Sequence, residues 1–190
     1  MSDISQDGSY VTGQLLIAMP GMRDERFAKS VIYMCAHTEE GAMGLVLNQR
    51  LDSLTYAELI SQLELDEKHL SSDVPVHFGG PVESGRGFVL HTSDYQQDAT
   101  LEVLNGVALT ASVEILKAIA QGKGPQKSLL ALGYAGWGPG QLDMEIRANG
   151  WLQVPSDSDL IFDSDVDTKW ERAIQRLGVD PSMLSEDMGH

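Results

Sequence analysis

The sequence predicts an α+β fold built on a mostly antiparallel or mixed β-sheet. Three observations carry this prediction. Short apolar and β-branched runs outnumber helical stripes, pairs of runs are joined by tight polar turns, and the helical stripes fall between strands without regular alternation. No internal repeat, low-complexity tract or long linker divides the 190 residues, so one domain is expected over 1–190, with the polar residues 1–9 loose.

The elements follow in chain order. Residues 14–19 (QLLIAM) read as a strand closed by Pro20-Gly21. Residues 23–29 carry mixed charges around Phe27 and read as a loop or a single helical turn. Residues 31–36 (VIYMCA) and 42–48 (AMGLVLN) are strands about the Glu39-Glu40-Gly41 turn, an antiparallel hairpin. Thr55 and Glu58 form a capping box, and Tyr56, Leu59, Ile60 and Leu63 make the apolar stripe of the helix it starts. Residues 66–73 are a polar linker. Residues 74–78 and 87–91 are strands, with 81–86 a glycine-bearing connection. Residues 101–104 and 107–109 flank Asn105-Gly106, a strong signal for a two-residue hairpin turn. Thr110 or Ser112 caps a helix with Val113, Leu116 and Ile119 inward, ended by Gly122.

Residues 129–132 form a strand that runs into a loop with glycines at 133, 136, 138 and 140. In 141–147, Leu142, Met144 and Ile146 alternate as in a strand, while Asp143 and Arg147 stand at helical spacing. Good helix formers favour a short helix there, ended by Asn149-Gly150. Residues 151–154 are a strand and 155–167 an acidic loop. Trp170, Ala173, Ile174 and Leu177 form a helical stripe ended by Gly178, and Asp180-Pro181 starts a final turn. Trp137 and Trp151, on either side of the glycine-rich corner, are expected to be buried.

Composition excludes several classes. Apolar residues make up 42% of the chain, enough for a core and too many for a disordered chain. Acidic residues number 28 against 13 basic ones, a formal charge of −15. That balance repels polyanions, so neither DNA nor an anionic membrane surface is an expected partner. No apolar run approaches the roughly 20 residues of a membrane helix. The start, MSDISQDGSY, lacks the basic and apolar regions of a signal peptide. Cys35 is the single cysteine, so no intrachain disulfide can form, and a cytoplasmic location is expected.

The glycine-rich stretch is the candidate site. Glycines this dense mark positive φ or close approach, and a loop before a helix start leaves N–H groups able to hold an anion. Gly136-x-Gly138-x-Gly140 lacks the Lys-Ser/Thr of a P-loop and the dinucleotide spacing, so a tight corner that lets Trp137 pack carries more weight. The candidate ligand-binding residues are Gly136, Trp137, Gly138, Gly140 and Gln141, with Asn48 as a further lining residue of a shallow polar pocket. A cap of the following turn is the favoured reading of Asn48.

Cys35 and His37 alternate on one strand and so are expected to face the same side. A nucleophile there needs a base across the strands, and a cysteine in an apolar strand reads first as a small buried hydrophobe. Cys35, His37, His77 and His91 lack the close spacing of zinc ligands, so neither metal nor cofactor is expected. Asp143 and Glu145 point apart on a helix and make no acid–base pair. No catalytic residue is assigned.

Three blocks, LLIAMPGMRDERFAKSVIYMCAHTEEGAMGLVLNQ (15–49), VHFGGPVESGRGFVLHT (76–92) and LALGYAGWGPGQLDMEIRANGWL (130–152), with DTKWERAIQRLGVDP (167–181), resemble the YqgE/AlgH family of bacterial proteins in order along nearly the whole chain. The resemblance implies a complex α+β fold with a barrel-like, bifurcated β-sheet surrounded by helices. It implies a cytoplasmic protein with no agreed catalytic residues, and a proposed role in regulating alginate synthesis genes. Matching positions include Pro20, Phe27, Ser30, Cys35, Gly44, Asn48, Gly79, Gly80, Pro81, Gly87, Gly133, Trp137, Gln141, Leu142, Glu145 and Trp151, many of them residues a demanding backbone needs.

Two classes of function follow. One is a binding or regulatory module meeting a protein or small ligand through a groove rimmed by the glycine loops. The other is an enzyme with a site near Cys35, His37 and Gln141. No nucleophile–base–orienter set or cofactor motif stands out, which favours the first. A transcriptional regulator, by the family's proposed role, is a third reading.

Overall fold

A computed structural model of the chain describes residues 10–20, 27–51, 53, 55–62, 74–163 and 165–178. Residues 1–9, the charged stretch 21–26, Leu63, the linker 66–73 and the Asp180-Pro181 turn lie outside the described residues, as does the side chain of Ile60. The elements are β1 (Gln14–Ala18), β2 (Val31–Thr38), β3 (Gly41–Val46), α1 (Tyr56–Gln62), β4 (Val76–Phe78), β5 (Val82–Thr92), β6 (Thr100–Leu104), β7 (Val107–Thr110), α2 (Val113–Ala120), β8 (Ser128–Trp137), α3 (Gln141–Arg147), β9 (Trp151–Pro155), α4 (Ser158–Phe162) and α5 (Lys169–Gln175). A 3-10 turn, Val166–Thr168, leads into α5. Among the described residues no helix is long and apolar enough to cross a membrane.

The described strands form a nine-stranded sheet in the order β6-β7-β5-β8-β3-β2-β1-β9, with β4 on β8 beside this path. Every pairing is antiparallel except β4 with β8. The sheet divides along β8. One edge of β8 pairs with β5. The other takes β4 at Leu130, Ala131 and Leu132, then β3 at Ala135, Gly136 and Trp137. β4 is a wedge between β8 and the chain leaving β3: Phe78 N–H donates to Gln49 O, and Leu51 N–H to Val76 O. The sheet curls into a half-barrel, and Leu104 at the end of β6 packs on Gly13 just before β1. The α+β class and the bifurcated, barrel-like sheet are therefore as expected.

The division depends on backbone touching backbone. A Cβ on Gly79 would lie 2.3 Å from Gly133 O, and one on Gly80 only 2.0 Å from the Tyr134 carbonyl carbon. Only glycine permits that approach.

Both faces of the sheet are covered. Along β1 and β2 alternate residues enter different cores: Leu15, Ile17, Val31 and Tyr33 pack with Trp170 and Ile174 of α5, whereas Leu16, Ile32 and Met34 pack with Leu142 of α3. A third cluster seats Tyr56 of α1 and Ile115 and Leu116 of α2 against β4, β5 and β8. Local chemistry starts these elements. Thr55 Oγ1 accepts from Glu58 N–H and Glu58 Oε1 from Thr55 N–H, completing the expected capping box. Asn105 and Gly106 have φ of 53° and 80°, the left-handed pair a two-residue hairpin needs.

Several expectations need correction. The glycine-rich loop is mostly strand, because β8 continues to Trp137 once β3 supplies ladder partners beyond Gly133. β5 starts at Val82, although its pairing with β8 is broken between Val82 and Gly87. Val113 is exposed, because the first turn of α2 leaves it beside the inward face of Ile115, Leu116 and Ala120. The acidic loop holds α4, started by Asp157, whose side chain accepts from Leu160 N–H, and burying Leu160 and Ile161. Leu177 falls beyond the end of α5 and is exposed.

Candidate functional site

The candidate residues gather where β8 passes into α3. Gly138, Pro139 and Gly140 make the connection, and Gly140 has φ of 74°, the left-handed turn that aims α3 back along the sheet. Gly138 N–H donates to Gln141 Oε1 at 2.9 Å, so the side chain of α3's first residue occupies a loop donor otherwise open to an anion.

Gln141 and Glu145 stand one helical turn apart on α3 and share a face. Gln141 Nε2 donates to Glu145 Oε2 at 3.1 Å. Glu145 Oε1 accepts two further hydrogen bonds, from the indole N–H of Trp137 and from that of Trp151, each at 2.9 Å. Charge-assisted bonds of this kind are stronger than neutral ones. One carboxylate thereby ties the end of β8 to the start of β9. Both tryptophans are buried, as expected. Their rings meet edge to face at 6.1 Å, Phe27 stacks on Trp137 at 6.5 Å, and Phe27 meets Trp151 edge-on at 6.0 Å.

Beside this group lies a cleft of about 290 Å³, lined by Phe27, Val82, Trp137, Gln141, Glu145 and Trp151, with backbone at Gly136 and Gly150. The structure thus brings Gly136, Trp137 and Gln141 together, with Gly138 and Gly140 forming the turn behind them. It does not bring Asn48 there. Asn48 lines a separate cleft with Lys29, Gln49, Trp170 and Glu171. Its amide clamps the chain before β2: Oδ1 accepts from Val31 N–H at 3.0 Å and Nδ2 donates to Lys29 O at 2.8 Å.

Cys35 and His37 do not face the same side. A bulge between Met34 and Ala36 shifts the register, so His37, opposite Ala42, shares the face of Met34, opposite Gly44. Cys35 points into the core of α5, and burial pushes its thiol up to about 12. His37 lies under α3. Its Nδ1 accepts from Val11 N–H at 3.1 Å, which leaves the proton on Nε2, 3.1 Å from Asp143 Oδ1. Asp143 and Glu145 do point apart on α3, the first to His37 and the second to the indoles.

The other two described histidines are each held where they stand in the sheet. His77 Nδ1 bonds Leu130 O at 3.1 Å, and burial lowers its basicity to a pKa of about 4. His91 bonds Thr92 O through Nδ1 and the Thr110 hydroxyl through Nε2. Among the described residues no three His, Cys, Asp or Glu side chains are grouped to hold a metal.

Glu145, the centre of the group, is absent from the sequence-based candidate set. Its signal was the i, i+4 spacing to Gln141 on a helix, which weighs only when the helical alternative for 141–147 is taken as settled. Phe27 and Val82 arrive from distant elements, and nothing in the sequence placed either beside Trp137.

A family profile described as AlgH-like matches residues 15–182. A UPF0301 protein of Rhodospirillum rubrum is 54% identical over 181 residues, spanning 95% of this chain and 94% of its own. One from Nitrobacter hamburgensis is 55% identical over 192 residues, spanning 97% and 89%. Among solved structures, the solution structure of the AlgH protein from Pseudomonas aeruginosa is 44% identical with a TM-score of 0.78, covering 90% of this chain and 91% of that one.

Proposed function

We propose, given that the chain belongs to the AlgH-like family, that it acts as a binding module whose ligand site is the cleft between α3 and the end of β8. The observation that carries this is the convergence of Trp137, Trp151 and Gln141 on one carboxylate, Glu145, at the wall of that cleft. A structural corner needs the aromatic packing but no water-accessible cavity beside it. Concave, largely apolar sites with a few convergent polar groups are the usual form of a ligand pocket.

The enzyme reading has less support. His37 engages Val11 N–H with one nitrogen and faces Asp143 with the other, so it offers no free nitrogen to a substrate. The Cys35 thiol stays protonated near neutral pH and points into a different core. A regulatory role is consistent with the binding reading, with the effect passed on through a ligand or a protein partner.

Nuclear magnetic resonance of the indole N–H signals tests the reading directly. Small molecules of differing charge are titrated into the full chain, with Trp170, whose indole donates to Ala18 O, as the internal control. Saturable shifts of the Trp137 and Trp151 signals, with Trp170 unmoved, are expected. Shifts confined to Trp170 would place the site elsewhere.

A further inference from the structure

We infer that the cleft at Trp137 and Trp151 selects a small organic cation, an ammonium or guanidinium group on an apolar body; this rests on the binding reading above. Three features of the cleft point the same way. First, Glu145 is the only charged side chain, and no lysine or arginine is present, among the described lining residues. Second, both indole N–H donors are engaged by Glu145, so the two tryptophans offer the cleft carbon surface and π electrons, with no N–H left to hold an anion. Gln141 is engaged in the same direction, its oxygen by Gly138 N–H and one amide hydrogen by Glu145. Third, a carboxylate accepts about four hydrogen bonds, and Glu145 has three protein donors, leaving acceptor capacity for one more.

Cations are drawn to aromatic rings electrostatically, and most strongly where water is excluded. Phe27, Trp137 and Trp151 supply the rings and Glu145 the countercharge. The formal charge of −15 on the whole chain acts in the same sense, raising the local concentration of cations and lowering that of anions. A volume of about 290 Å³ suits a small molecule, since ligand pockets begin at roughly 300 Å³.

The experiment compares four probes of similar size in three charge states on the full chain, read by the indole signals of Trp137 and Trp151. Choline and butylguanidinium are the cations, 3,3-dimethylbutanol is the neutral isostere of choline, and 3,3-dimethylbutanoate is the anion. The expected result is a dissociation constant for the tighter cation at least about tenfold below that of the neutral isostere, with the anion weakest. The preference should shrink in Glu145→Gln, which keeps an oxygen for the indoles and removes the charge. A neutral or anionic probe that matches or exceeds both cations overturns the inference and leaves the binding reading standing. No response of either indole to any probe overturns both. The comparison on the unmodified chain decides the matter even if Glu145→Gln folds poorly.

Discussion

Trp137 meets Trp151 edge to face at 6.1 Å, and both indole N–H groups end on the same oxygen of Glu145. Strands β8 and β9 are not neighbours in the sheet, so this contact, with α3 between them in the chain, closes a gap that no ladder spans.

Replacing Glu145 with alanine should therefore do more than remove a surface charge. Two largely buried indole donors would lose their acceptor, at about 1–3 kcal/mol each. A loss of about 2–6 kcal/mol in urea unfolding is expected, with Glu145→Gln retaining most of the stability. Trp151→Ala should cost about 3–5 kcal/mol, as for other large-to-small core changes. An unchanged unfolding midpoint in Glu145→Ala would mean that the indole bonds contribute nothing.

Gly80 gives a second test at the division of the sheet. Its φ of 156° and the 2.0 Å approach of a hypothetical Cβ to Tyr134 leave no room for a side chain. The obstacle is backbone, which cannot rotate away, so Gly80→Ala should exceed the roughly 1–3 kcal/mol of ordinary overpacking. Gly85, whose Cβ would meet nothing within 4 Å, is the control. Equal thermal midpoints for Gly80→Ala and Gly85→Ala would contradict the close approach.

How much of this was legible in the sequence depended on range. The Thr55–Glu58 box and the Asn105-Gly106 turn were readable because each is decided by side chains and backbone a few residues apart. The extension of β8 was not, because Gly133 and Gly136 look like a loop until β3 is placed alongside. The side that His37 faces depended on one extra residue in β2, and period-two alternation has no means of revealing a bulge. The site was half visible for the same reason: Gln141 and Trp137 lie on the legible stretch, while Glu145 gained its meaning from Trp151 arriving on another strand.

His77 makes folding pH-dependent on the acid side. Burial, partly offset by its bond to Leu130 O, holds its pKa at about 4 against an ordinary 6.5. The unfolded chain takes up the proton first, so stability is present above pH 6.5 and is lost as pH falls toward 4. The full loss is about 3 kcal/mol. His91 is shifted in the same direction. Urea unfolding between pH 7 and pH 4 should show a shallower decline in His77→Gln than in the wild type; parallel curves would exclude His77 as a source.

Lys169 acts on the alkaline side with the same slope, stability rising with pH. It is fully buried, its ammonium donating to Ile161 O at 2.7 Å and Leu47 O at 3.3 Å, and burial lowers its pKa from 10.5 to about 8 despite the pull of Asp163. Between those values the unfolded chain binds the extra proton, so this residue's destabilising effect is full below about pH 8 and fades as pH rises to 10.5. Cys35 and Tyr56, both pushed up to about 12, oppose it once their unfolded forms ionise. The clean measurement is the difference in stability between Lys169→Met and the wild type, which should shrink from pH 8 to pH 10. A difference independent of pH would show that Lys169 does not titrate there.

A direct role on DNA is the reading the charge distribution opposes most strongly. Non-specific affinity for DNA comes mainly from lysine and arginine neutralising phosphates, and here acidic residues exceed basic ones by 15. The cations at the end of α5 are already matched: Arg172 pairs with Asp163 at 2.8 Å, and Arg176 with Asp157. The helices α1 and α2 do not form a helix-turn-helix pair, since they are separated by β4 to β7 and both pack on the sheet. Any influence on transcription would then pass through a ligand or a protein partner. A mobility-shift titration at about 50 mM salt is the demanding test, because low salt favours electrostatic association. No saturable shift is expected at micromolar protein on any duplex. Sequence-selective binding under those conditions would show that a local surface overrides the charge of the whole chain.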